Sequence, residues 1–307
     1  MKFLKRVLIL LLTVGIIWGI REVGPHFAPL WRGFEGAGEV EKKNYKGEKP
    51  SRFAVMSDVH SDWENFQKAL EKAKTDMEIG PSFVPPVGGT TAGKGFVIIT
   101  GDLTTIGTKN ELLEAKKILE ESGLRYYVIP GNHDVWWGRK YKRDVWEEVF
   151  GESFESFRED GAKFILINNG DAVGGINQFK VQSSKFKVDE EETQMDWLKK
   201  ETEECLKVYC LVFMHIPLNH PNSLHVMGEE SPLVASEAAE LINLLVKNQV
   251  KEVFAGHLHF SSSYELGGLK TTIVGAIASE RNLQSPKFLE AWNEGGNLRK
   301  ESIFLSD

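Results

Sequence analysis

A chain of 307 residues with 41% hydrophobic and 26% charged side chains can fill one large domain or two small ones, and it excludes long disorder. Lys and Arg number 37 against 44 Asp and Glu, a net charge of 37 − 44 = −7; Lys2, Lys5, Arg6, Arg21 and Glu22 make the first thirty residues +3, so the rest carries −10. An acidic body disfavours nucleic-acid backbones, so no nucleic-acid partner is expected, and two cysteines, Cys205 and Cys210, cannot build a disulfide framework or a four-thiolate zinc site.

The first element is an uncharged apolar run, residues 7–20, preceded by Lys2, Lys5 and Arg6. Its fourteen residues match a signal-peptide core and fall short of the roughly 20 of a relaxed spanning helix. Arg21-Glu22-Val23-Gly24-Pro25-His26 makes a poor cleavage site, so residues 1–31 are read as an uncleaved anchor that meets the membrane through residues 4–20. The alternatives are a cleaved signal peptide with secretion, and a buried helix of the core. The cations ahead of the run predict that the body lies outside the cytoplasm. Residues 32–50, rich in Gly, Glu and Lys, read as a linker, and 51–307 as the folded domain.

From Phe53 onward short apolar runs alternate with amphipathic stretches. Runs at 53–56, 96–100, 126–129, 164–167, 208–214 and 253–255 predict buried strands. Ser61 with Glu64 and Thr108 with Glu111 predict capping boxes, Gly123 a helix stop, and Ser231-Pro232 a helix start. Residues 78–95 are rich in Pro and Gly and read as an insertion, while the chain from Ser262 reads as a closing meander. Alternating strands and helices define an α/β layered domain.

Five of the strands run into clusters of metal-binding residue types: Ser57-Asp58-Val59-His60, Thr100-Gly101-Asp102, Pro130-Gly131-Asn132-His133-Asp134, Met214-His215 and Gly256-His257-Leu258-His259. Ligands of open α/β sheets gather at the carboxyl ends of strands, so these loops should meet in space. Imidazoles with hard oxygen donors suit Mn, Fe or Zn.

Asp-x-His, Gly-Asp, Gly-Asn-His-Asp, His and Gly-His-x-His, in that order and each after a strand, resemble the calcineurin-like metallophosphoesterases, over Phe53 to about Phe260. The resemblance implies a four-layer α/β/β/α sandwich with two divalent metal ions. It implies Asp58, His60 and His259 on one metal, Asn132, His215 and His257 on the other, and Asp102 bridging them. His133 would touch the phosphoryl group. Leu103-Thr104-Thr105 follow Gly101-Asp102 where purple acid phosphatases carry a metal-binding tyrosine, so no tyrosinate-to-iron colour is expected.

The chemistry fits those roles. Two cations so held would supply a shared water of lowered pKa as the in-line nucleophile, and His133 is expected to protonate the leaving oxygen. Asp134 or Asp58 is expected to orient that imidazole, Asp134 having a helix cap as its alternative role. Trp136, His220 and His225 are candidate substrate contacts, against packing for the tryptophan and solvated loop positions for the histidines. Cys205 and Cys210 are expected as buried thiols. The reading is a metal-dependent hydrolase of small phosphoesters, mono- or diester. Its rivals are a nuclease and a catalytically silent, membrane-tethered binding module of the same fold.

Overall fold

In the computed structural model, described over residues 52–76, 95–137, 140–141, 143–171, 175–176, 192–294 and 297–306, two mixed sheets face each other. The apolar run at 7–20, the linker and residues 78–94 of the expected insertion lie outside the described residues. No helix among the described residues is long and apolar enough to cross a membrane.

The first sheet has the order β13-β12-β1-β2-β3. β1 (Arg52–Met56), β2 (Val97–Ile99) and β3 (Tyr126–Val128) are parallel, and β12 (Lys287–Glu294) and β13 (Asn297–Phe304) form an antiparallel hairpin paired to β1. The second sheet has the order β10-β11-β9-β8-β7-β6. Its parallel strands are β7 (Ala162–Leu166), β8 (Tyr209–Phe213), β9 (Glu252–Ala255) and β11 (Leu269–Ile273), flanked by antiparallel β6 (Glu155–Glu159) and β10 (Ser262–Leu266). A ribbon of β4 (Trp136–Trp137) and β5 (Lys140–Tyr141) stands apart from both.

Aromatic packing joins the sheets. Phe53 and Phe96 meet Phe164, Phe213 and Phe254 with all five rings at most 1% exposed, and Phe53 contacts the other four at centroid distances of 5.3 to 6.1 Å. Burial of each such side chain stabilises by about 1.5–3 kcal/mol. The other face of the first sheet packs against α1 (Trp63–Asp76), α2 (Lys109–Ser122) and α4 (Arg143–Phe150) through Phe66, Leu70, Leu112, Leu119 and Trp146. α5 (Gln194–Glu203) packs with α6 (Pro232–Lys247), and α6 with β11.

The Thr108–Glu111 capping box, the left-handed Gly123 stop and the Ser231-Pro232 start all form as expected. The first helix differs. Ser61 lies at φ 61° and its hydroxyl donates to Glu111, while Asp62 caps α1 by accepting the Asn65 N–H at 3.2 Å. The closing meander is also corrected: β10–β11 extends the second sheet and β12–β13 the first, because the chain crosses between sheets after Ile273. Strand β6 escapes the sequence because Glu-Ser-Phe-Arg-Glu is a polar edge with no apolar run. The cysteines are a further correction. Cys205, in the 3₁₀ turn Glu204–Leu206, and Cys210 of β8 form a disulfide, since that turn brings their Cα atoms to 5.3 Å.

Candidate metal centre

The carboxyl ends of three strands of one sheet and two of the other deliver the site. β1 ends at Asp58 and His60, β2 at Asp102, and β3 at the short helix α3 (Asn132–Val135); from the second sheet β8 ends at His215 and β9 at His257 and His259. Backbone bonds seam the ends together. The Asp58 N–H donates to Gly101, those of Val59 and His60 to Asp102, and that of Gly256 to His215, all at 2.8 to 3.1 Å.

The backbone at these positions is strained. Asp58, His60, Asp102, His257 and His259 all have φ between 46° and 70°, where side chains other than glycine's cost about 1–3 kcal/mol. Gly101, at φ 101°, lies against Gly131, and a methyl group on Gly131 would overlap the Asp102 carboxylate. The tight turns therefore follow from two glycines meeting under the central carboxylate.

The donor atoms converge as the sequence predicts. His60 Nε2 and His259 Nε2 are 3.0 Å apart, and His259 Nε2 lies 3.4 Å from Asp58 Oδ1. Asp102 Oδ2 is 3.7 Å from His60 Nε2 and 3.2 Å from His215 Nε2, which is itself 3.0 Å from Asn132 Oδ1. Two groups result: Asp58, His60, Asp102 and His259, and Asp102, His215 and His257. Asp102 belongs to both. Ligands about 2.0–2.2 Å from one ion stand about 2.8–3.6 Å apart at right or tetrahedral angles, so all but the 3.7 Å spacing fall within the range of a shared cation.

The electrostatics agree. Burial pushes the Asp58 carboxyl up, but its hydrogen bond with His259 and the charges of His259 and His215 bring it down to about 2. Burial likewise raises Asp102, and His215 overrides it and holds the carboxyl below the usual range. Burial opposes charge on His215, yet Asp102 lifts it to about 9, while burial and His215 push His257 down to about 3. Without metal, buried carboxylates are thus balanced by a proton held on imidazole. A divalent cation fits the same donors and can replace that proton.

Backbone carbonyls fix the rings. His215 Nδ1 pairs with the Thr100 carbonyl at 2.9 Å, His259 Nδ1 with that of Arg281 at 3.2 Å, and His133 Nδ1 with that of Thr105 at 2.7 Å. The His133 ring stands edge-on to His60 with centroids 4.6 Å apart. Thr105 therefore takes the orienting role expected of Asp134 or Asp58. The Asp134 carboxylate accepts from the N–H groups of Gly131, Leu103 and Thr104 and from the Thr104 hydroxyl at 2.7 to 3.1 Å, locking the Asp102 turn to the Asn132 turn. Burial and the Asp102 charge raise Asp134 to about 6.

His220 packs edge-on to Phe260 and Tyr264, and its ring nitrogens bond Ser262 and the Asn222 N–H within its own loop. His225 is solvated and pairs with Glu229 at 2.9 Å. Trp136 starts the ribbon directly after α3, and its side chain lies outside the described residues. One contributor was missed. Buried Asn169 accepts the N–H groups of His215 and Ile216 at 3.0 Å and donates to the Ile216 carbonyl, fixing the His215 turn. Its signal, Asn168-Asn169-Gly170 at the end of β7, lacks the histidine or carboxylate that marks the other strand ends.

The family model described as calcineurin-like phosphoesterase matches residues 51–261. The chain belongs to that family, whose members are phosphoesterases that generally bind two metal ions. A probable glycerophosphodiester phosphodiesterase of Arcobacter nitrofigilis is 26% identical over 164 residues, which cover 53% of this chain and 56% of that protein. An uncharacterised protein of Methanocaldococcus jannaschii is 27% identical over 40% of this chain and 61% of its own length. The chain thus spans between about half and two-thirds of the length of these curated relatives. Among solved structures, a dimetal phosphatase from Danio rerio superposes with a TM-score of 0.58 at 13% identity, covering 84% of this chain and 98% of its own. A purple acid phosphatase from yellow lupin gives 0.57 at 12%, covering 86% and 53%. These structural likenesses speak for the mixed α/β fold with two sheets.

Proposed function

We propose that the chain hydrolyses small phosphoesters with two divalent cations, one held by Asp58, His60, His259 and Asp102, the other by Asp102, Asn132, His215 and His257. The single observation that carries the reading is Asp102, whose carboxylate is common to both donor groups. When bound, the cations supply Lewis-acid charge and a water of lowered pKa. The chain's own residues do the rest. Asn132 and the histidines hold the donor array, and Asp134 and Asn169 keep its turns fixed. His133 stands beside His60 with Nδ1 held by the Thr105 carbonyl, so a proton for the leaving oxygen comes from Nε2 of its imidazolium form.

The name of the Arcobacter relative speaks for a phosphodiester substrate and that of the zebrafish structure for a phosphatase, so a small phosphoester is the common class. The complete donor set speaks against the catalytically silent binding module. The cations before residues 7–20 support a body outside the cytoplasm, and the Cys205–Cys210 disulfide fits an oxidising compartment. Metal analysis together with turnover of phosphomonoesters, phosphodiesters and nucleotide sugars under added Mn or Zn tests the function. Near two metals per chain and turnover of at least one class are expected; metal-loaded protein inert on all of them would refute it.

A further inference from the structure

Residues 276–285 form a loop pinned to the site on several sides. Asn282 Nδ2 donates to the Ala276 and Ala278 carbonyls at 3.1 and 2.9 Å, and the Ser279 N–H donates to Asp62 at 2.9 Å. The Leu283 N–H donates to the His259 carbonyl at 3.2 Å, and Gln284 Oε1 accepts from Ser261. At the tip, Arg281 adopts φ 57°, a left-handed conformation that arginine pays strain to hold, and its carbonyl accepts His259 Nδ1. Its side chain is exposed.

Basic residues are sparse along the loops that carry the donors. Among residues 57–61, 100–107, 130–135, 214–231, 256–262 and 276–285, which make up the site loops described above, Arg281 is the only Lys or Arg. An exposed guanidinium on a loop tied by its own backbone to a candidate ligand histidine starts beside the site, and its planar fork suits a bidentate phosphate contact. The metals and His133 serve the phosphoryl group under attack. Arg281 begins on the far side of the His259 ring from that group, because its carbonyl meets Nδ1 while Nε2 faces the other donors.

We propose that Arg281 recognises a second phosphate on the substrate, bidentately through its guanidinium, and that the chain favours compounds with two linked phosphates over those with one. This deepens the phosphoester reading and rests on it. The full chain loaded with Mn is titrated calorimetrically with AMP and with non-hydrolysable α,β-methylene-ADP, for the wild type, Arg281→Asn and Arg281→Lys. Asn tolerates the left-handed backbone and so keeps the carbonyl that fixes His259. Arg281→Asn should weaken the diphosphate about tenfold, one lost charge-assisted contact, and leave AMP within about twofold. Arg281→Lys should recover part of the loss. Metal per chain, measured alongside, should be unchanged.

An unchanged preference between the two nucleotides, equal losses for both, or loss of metal would overturn the assignment. Loss of diphosphate preference in a chain that turns over no phosphoester would uphold Arg281 while refuting hydrolysis.

Discussion

His60 Nε2 and His259 Nε2 face each other at 3.0 Å across 199 residues of sequence. Two imidazoles so placed share at most one proton, and Asp58 and Asp102 stand beside them. The pair therefore suits a shared cation, and on the proposed reading removal of metal would leave buried charges to be neutralised by protons. Chelation should lower the melting temperature, and Mn or Zn should restore it with a concentration dependence, because a ligand that binds only the folded state stabilises by mass action. A melting temperature indifferent to both chelator and metal would remove the centre.

The second prediction concerns the shared carboxylate. Asp102→Asn keeps shape and replaces a charge common to both groups with a neutral amide. Bound metal should fall well below two per chain. Activity should fall by more than the about 10²–10³ expected for one lost electrostatic contact. Metal analysis and turnover measured on one preparation check it, and full metal with wild-type rate would exclude bridging.

Ligation and proton transfer separate at His133. His133→Ala should retain metal, since none of the donor groups includes it. Turnover should slow by about 10²–10⁴ on alkyl leaving groups and less on nitrophenolate, which leaves without a proton. Equal losses on both leaving groups would point to charge stabilisation instead.

Much of this centre was legible in the sequence because side-chain types at strand ends carry the signal: Asp58, His60, Asp102, Asn132, His215, His257 and His259 all converge. What supports them was not. The Thr100, Thr105 and Arg281 carbonyls orient three rings, and a carbonyl leaves no mark in sequence. At α1 Ser61 satisfies the capping-box pattern, yet its hydroxyl is drawn to Glu111 of another helix, leaving Asp62 as the cap. An apolar strand around Cys210 signals burial, which does not distinguish a thiol from a half-cystine; the turn between the cysteines decides.

A fourth prediction lies away from the metals. Glu290 of β12 is 2% exposed, has one oxygen without a hydrogen-bond partner among the described residues, and meets Arg52 at 3.5 Å through the other. Burial raises its carboxyl to about 7 against the opposing pull of Arg52. The folded state thus holds this proton more tightly than the unfolded one. The residue's contribution is most favourable below the ordinary carboxyl range near 4.5 and is lost as pH rises to about 7. Glu290→Gln should therefore gain stability over wild type at pH 8 and little at pH 4. Urea unfolding of both proteins at the two pH values measures the difference, and a gain independent of pH would refute the assignment.

The last prediction concerns where the body resides. Lys2, Lys5 and Arg6 precede residues 7–20, while Arg21 and Glu22 cancel after them, so the bias predicts a cytoplasmic N-terminus and a translocated body. The poor cleavage sequence after Ile20 predicts that the segment persists and keeps the protein in the membrane fraction. In that compartment Cys205 and Cys210 should be oxidised as isolated, giving an intact mass two hydrogens below the dithiol and no labelling by maleimide until reduction. External protease should reach the body in spheroplasts. Protection from protease together with free thiols would place it in the cytoplasm, and a soluble chain beginning between Arg21 and Glu39 would show a cleaved signal. Deleting residues 1–31 should leave folding and turnover intact, because the donors begin at Asp58 and the described core begins at β1.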